Sequence, residues 1–247
     1  MTELLLIVPH PDDEAFGSGA VLARAAATGR GAATLTLTRG RAGRSLDLCT
    51  REELATMREH ELRSSLETLG VLDVTILDHP DYVPDADRGL EPDPGLAGVP
   101  RSRLVADVVA TIDRTRPRVI VTFPPNGSNG HPDHVTTHEV VLEALATARH
   151  RPERLYYFAS DQPFAGPQRD GFLAAEEMRA RHLAPTHLVP AGRFLETKLR
   201  AIACHRTQAL SVVTFMQRFP HRLLVESFHR ALPAVEAGVG TIAVDAL

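Results

Sequence analysis

The chain has 247 residues, a formal net charge of −4, 43% hydrophobic residues and 23% charged residues. That length buries a sizeable core without disulfides or a structural metal, and the apolar share excludes a disordered chain. The slight acidity argues against a nucleic-acid partner, which would need a basic surface.

Residues 4–8 (LLLIV) form a continuous apolar run, as expected of a strand buried on both faces. The run is too short for a signal-peptide core, and no stretch approaches the roughly 20 apolar residues of a membrane span. Residues 16–28 are Ala/Leu-rich and read as a helix closed by Gly29, and 32–38 (AATLTLT) alternate as a second strand. An Arg/Gly-rich loop follows over 40–49. Thr50-x-x-Glu53 resembles a capping box opening a helix to Leu69, which Gly70 stops. A short strand covers 74–77. Residues 78–100 carry five prolines and three glycines and read as a long surface loop. A helix over 101–115, a strand over 119–123, a loop over 124–130 and a helix over 134–147 come next. Strands over 155–159 and 187–189 and helices over 194–205 and 212–218 complete the chain. This alternation predicts an α/β fold: a single Rossmann-like domain over 1–247, with a mostly parallel sheet and helices on both faces. No G-x-G-x-x-G follows the first strand, which disfavours a nucleotide cofactor.

Lys198 is the only lysine, so lysine chemistry is set aside. Cys49 and Cys204 lie outside any Cys-x-x-Cys pattern, which excludes a disulfide framework and fits reduced thiols of a cytoplasmic protein. The chemistry sits in the tripeptide His-Pro-Asp, found at His10, His79 and His131, each after a predicted strand. In a parallel sheet the carboxyl ends of the strands share one edge, where ligands bind, so these segments are expected to converge. Pro9-His10-Pro11-Asp12-Asp13-Glu14 is a costly way to end a buried strand, and packing does not require it. His10 and Asp13, three residues apart, can point the same way, and His134 adds a second imidazole. Two imidazoles and one carboxylate leave a fourth position for water, as in a catalytic zinc site, although other divalent metals suit the same donors. Prolines after His10 and His131 hold the preceding backbone extended and so aim each imidazole.

The first of these segments, together with Gly130-His131-Pro132-Asp133-His134, resembles the LmbE-like (PIG-L) family of zinc-dependent N-acetylglucosamine deacetylases. Weaker matches are Arg58 and Glu61 before Leu69-Gly70-Val71, the set Lys198, His205 and Gln208, and Glu226-x-Phe228. The resemblance implies that His10, Asp13 and His134 hold one zinc ion per chain. It makes Asp12 the general base and gives His131 the tetrahedral intermediate or the leaving amine. Asp133 would orient His131 or another site imidazole. Arg58 and Asp81 match substrate-contacting positions. Asn129 stands where some relatives carry a tyrosine, and Arg41 where some carry an acidic residue. Arg39, Arg41 and Arg44 suggest an anion clamp, and with it the bacillithiol-pathway substrate N-acetylglucosaminyl malate. Conjugates of chitobiose or inositol type, and a metal- or glycan-binding protein without turnover, are the alternatives. The resemblance further implies a small-molecule GlcNAc conjugate as partner, neither nucleic acid nor membrane, and a trimer or hexamer.

Overall fold

The computed structural model describes residues 2–29, 31–84, 90–166, 169–235 and 240–247. Its strands are β1 (Leu4–Val8), β2 (Ala32–Thr38), β3 (Asp73–His79), β4 (Tyr82–Val83), β5 (Asp93–Pro94), β6 (Val119–Thr122), β7 (Arg154–Phe158), β8 (His187–Pro190), β9 (Val225–Leu232) and β10 (Ile242–Ala243). The helices are α1 (Asp13–Ala26), α2 (Leu54–Thr68), α3 (Arg101–Thr115), α4 (Gly127–Gly130), α5 (Pro132–Thr147), α6 (Ala175–Ala180), α7 (Leu195–Cys204), α8 (Ala209–Arg218) and α9 (His221–Leu224).

The main sheet runs β10-β8-β9-β7-β6-β1-β2-β3. Strands β3, β2, β1, β6 and β7 are mutually parallel, while β9 runs antiparallel between β7 and β8. The apolar run of β1 has a direct physical reading, since its side chains alternate between two cores. Leu4, Leu6 and Val8 join Leu22 of α1, Leu62 of α2 and Ile202 of α7 on one face. Leu5 and Ile7 join Leu104 of α3 and Val140 of α5 on the other. The fold is thus α/β, with a mostly parallel sheet covered on both faces.

The capping box forms as read: Thr50 N–H donates to Glu53 Oε2 at 3.0 Å, and Glu53 N–H donates to Thr50 Oγ1 at 3.3 Å. Two expectations change. The 78–100 loop contains the β4–β5 hairpin and a 3-10 turn at Gly95–Gly98, although its residues 85–89 lie outside the described residues. Strand β9 has no counterpart in the sequence reading, because one of its buried positions is the carboxylate of Glu226.

That carboxylate serves α1. The helix breaks at Ser18 (φ −146, ψ 17) and resumes beyond it. Glu226 accepts hydrogen bonds from the freed amides of Ala20 and Val21, each at 2.8 Å. Lys198, fully buried, pairs with Glu226 at 2.8 Å and donates to the Arg222 carbonyl at 2.8 Å. The only lysine is therefore a structural counter-ion. Breaking a buried pair from one side costs roughly 3–5 kcal/mol. Urea unfolding of Lys198→Met is expected to show a loss of about that size. The exposed ion pair of Arg200 with Glu196 supplies the contrast, and Arg200→Met is expected to leave stability nearly unchanged.

Candidate functional site

Strands β1, β2, β3, β6 and β7 all end at the rim of one cleft of about 1590 Å³, and the segments that follow them line it. After β1 the chain turns through Pro9-His10-Pro11 and places Asp12 at φ 115, a left-handed value that L-residues rarely adopt. The turn is tied by the His10 amide donating to Asp13 Oδ2 (3.0 Å) and the Asp12 amide donating to Glu14 Oε2 (2.9 Å). After β6, Gly127 (φ 62) lets the backbone pass against His134, where any Cβ would come within 2.9 Å of the His134 Cβ. His131 then caps α5, its Nδ1 accepting from the Asp133 amide at 3.1 Å, with Pro132 in the first turn.

Three donor groups converge where these turns meet. His10 Nδ1 lies 3.2 Å from His134 Nε2, and the two nitrogens lie 3.7 Å from Asp13 Oδ2 and Oδ1 respectively. Ligands around a tetrahedral zinc ion with bonds of about 2.0–2.1 Å stand roughly 3.3–3.4 Å apart. The opposite ring nitrogens face outward. His10 Nε2 donates to Asp133 Oδ2 at 3.0 Å, and His134 Nδ1 donates to the Gly127 carbonyl at 3.0 Å. That leaves two lone pairs facing each other, an arrangement a cation satisfies. Phe123 stacks on His134, with ring centroids 3.9 Å apart. His131 completes a looser group in which one nitrogen from each of His10, His131 and His134 lies within 4.8 Å of the others. These donors fit a divalent metal.

Without a cation, protons take its place. Burial opposes charge on His10, yet the hydrogen bond to Asp133 and the charges of Asp13, Asp133 and Asp81 raise its pKa to about 9. Burial pushes the Asp13 carboxyl up to about 7, helped by Asp12 and Glu14 and opposed by His10. Burial, with His10 and His134 beside it, drives His131 well below the usual imidazole range. A neutral His131 whose Nδ1 accepts an amide hydrogen carries its own proton on Nε2.

Asp12 sits next to this group without joining it. Its carboxylate pairs with Arg58 at 3.2 Å, and burial raises its pKa against the opposing charges of Arg58, His205 and His10. Behind it lies a fully buried cluster that the sequence reading undervalued. Glu14 Oε1 accepts from Ser65 at 2.6 Å and pairs with His205 at 2.6 Å. Burial works against both charges, but the pair holds Glu14 below and His205 above their ordinary values. The signal available was His205 in the weak C-terminal match, with no indication of its partner.

The remaining sequence-named residues divide. Asp133 is 3.9 Å from His131 Nδ1 and orients His10 instead. Asp81 lines the cleft, with Oδ2 accepting from the Ala42 amide at 2.8 Å and Oδ1 buried without a partner. Asn129 lines the cleft and accepts from the His131 amide at 3.1 Å. Arg58 is buried, and its guanidinium donates to the carbonyls of Gly40 and Pro11. Arg39 pairs with Glu59 at 2.9 Å and Arg41 with Asp78 at the surface, so of the three loop arginines only Arg44 lines the cleft. Tyr82 and Phe172, not singled out from sequence, flank His131 at centroid distances of 5.8 and 4.9 Å.

Binding a cation to His10 and Asp13 requires both to lose their protons. Apparent metal affinity, measured by competition with a chelator, is expected to rise with pH up to the His10 value near 9. The rise is expected to be steeper below the Asp13 value near 7 than above it. Asp133→Asn, which disturbs the outward partner of His10, is expected to weaken metal binding about 10–100-fold in the same assay.

Residues 5–145 match the PIG-L family, described as GlcNAc-PI de-N-acetylase. The chain is 40% identical over 162 residues to a 1D-myo-inositol 2-acetamido-2-deoxy-alpha-D-glucopyranoside deacetylase of Kineococcus radiotolerans, covering 59% of this chain and 45% of that protein. A protein of the same name from Rhodococcus erythropolis is 30% identical, with 83% and 80% covered. The chain spans about half the length of the first curated relatives it matches. Among solved structures, the conserved protein TT1542 from Thermus thermophilus superposes with a TM-score of 0.69 at 26% identity, covering 96% of this chain and 98% of that one. With its two histidine motifs inside the matched segment and its fold aligned from end to end, the chain belongs to the PIG-L (LmbE-like) family.

Proposed function

We propose that this protein is a zinc-dependent hydrolase that removes the N-acetyl group from a GlcNAc-containing small molecule, the whole of 1–247 acting as one domain. The observation that carries the reading is the triangle of His10, Asp13 and His134 with the unliganded carboxylate of Asp12 beside it. In this reading His10, Asp13 and His134 hold the metal and His131 stands outside it, since the Asp13 oxygens close the tighter triangle. A divalent ion held there would supply Lewis acidity, polarising the amide carbonyl and lowering the pKa of a water toward neutrality.

The chain's own groups move the protons. Asp12, its pKa raised by burial, accepts the proton of the attacking water. Arg58 and the Glu14–His205 pair fix its turn and keep it ionisable. His131 holds a proton on Nε2, where it can donate to the developing oxyanion or the departing nitrogen. Tyr82 and Phe172 pack edge-on against that ring and hold it in place.

The inositol conjugate named for the relatives is one candidate substrate. N-acetylglucosaminyl malate and chitobiose are the other members of the panel on which acetate release tests the reading. Asp12→Asn suits the left-handed backbone at this position, where Asn is tolerated. It is expected to keep the metal and lower kcat by about 10²–10⁴-fold, as loss of a general base does. Metal loss in this variant, or full activity after chelation, would contradict the assignment.

A further inference from the structure

The family match ends at residue 145, yet much of the cleft wall comes from later segments, among them α8 and α9. On that wall Phe16, one turn after Asp13 on α1, meets Phe215 at 5.1 Å between ring centroids. Phe215 and Phe219 lie 6.2 Å apart, and the guanidinium carbon of Arg222 sits 5.8 Å from each ring centre. Arg222 is half-buried and lines the cleft. Its guanidinium has no hydrogen-bond or ion-pair partner among the described residues. The nearby carboxylate of Glu226 is already taken by Lys198 and by the amides of Ala20 and Val21. Burial works against the charge on Arg222, with Glu226 opposing that effect. Two aromatic faces offset part of the lost hydration but use none of the five N–H donors. The guanidinium is thus a positive charge held on the cleft wall with its fork open to an anion entering the cleft.

We propose that Arg222 is a specificity-determining residue that binds an anionic substituent, carboxylate or phosphate, on the aglycone of the substrate. The sugar end would lie at the histidine cluster, and the Phe16–Phe215 contact joins that cluster to Arg222 along one wall. The inference rests on the proposed deacetylase reading for the placement of the sugar, and it moves anion recognition away from Arg39 and Arg41, which are engaged with Glu59 and Asp78.

The test uses binding, so that it does not depend on turnover. Calorimetry on the full chain compares the methyl glycoside of N-acetylglucosamine with N-acetylglucosamine 1-phosphate and with an N-acetylglucosaminide of a hydroxy acid. A charge-assisted bidentate contact predicts that wild type binds at least one of the anionic probes about ten- to a hundredfold tighter than the neutral one. The better of the two anions identifies the source of the charge. In Arg222→Met this ratio is expected to collapse toward one. A wild type with no preference for either anion, or an Arg222→Met protein that keeps the ratio, overturns the proposal. If unfolding curves show that Arg222→Met does not fold, Arg222→Lys replaces it. The lysine variant retains the stem and charge but lacks the fork, so the ratio is expected to fall about threefold or more, and an unchanged ratio overturns the proposal. Acetate release is recorded separately on all three probes. Selective anion binding without acetate release would count against the deacetylase reading and leave Arg222 as an anion-binding residue.

Discussion

The carboxylate of Asp133 has no solvent exposure and is fully used by three partners from distant parts of the chain. His10 Nε2 and the Tyr82 amide donate to one oxygen, and the Leu96 amide donates to the other. The turn after β1, the hairpin after β3, the 3-10 turn at Gly95–Gly98 and the start of α5 are thereby fixed to one point. Burial opposes its ionisation, but these donors, His10 first among them, hold its pKa below the ordinary value. The tautomer of His10, and so the direction of its free lone pair, follows from this contact.

A second layer of constraint acts on the neighbouring carboxylate. In the proposed reading Asp12 is the base and so does not share a metal with Asp13. Its left-handed backbone turns it away toward Arg58, while Glu14 reaches back to hold its amide. Three consecutive acids thus take three environments: one facing the imidazoles, one facing the guanidinium, and one sealed against His205 and Ser65. Sequence adjacency gives them proximity, and the turn gives them different chemistry.

The parallel half of the fold was legible because strands buried on both faces leave unbroken apolar runs, as at β1 and β6. The meeting of His10, Asp13 and His134 was also legible, since strand ends in such a sheet share an edge. Strand β9 was hidden because Glu226, a charged residue, occupies one of its buried positions. The partners of Asp133 and Glu14 were hidden for another reason: each contact joins residues too far apart for spacing to reveal. Phe215, Phe219 and Arg222 do stand at the i, i+4, i+7 spacing of one helical face, but that spacing does not say that the face lines the cleft, so nothing in the sequence distinguished its arginine from the many others.

Strand β9 also ties the order of synthesis to the integrity of the first motif. The amides of Ala20 and Val21 belong to the helix that carries Asp13, yet their acceptor is Glu226, more than 200 residues later. A chain emerging from its N-terminus can form β1 and its parallel neighbours early. It cannot close the break in α1 until residue 226 has left the ribosome. The segment with the strongest family signature therefore reaches its final geometry only after residue 226 has emerged, and nascent chains stopped anywhere between residues 145 and 226 would carry every histidine of the cluster while α1, which bears Asp13, is still unfinished.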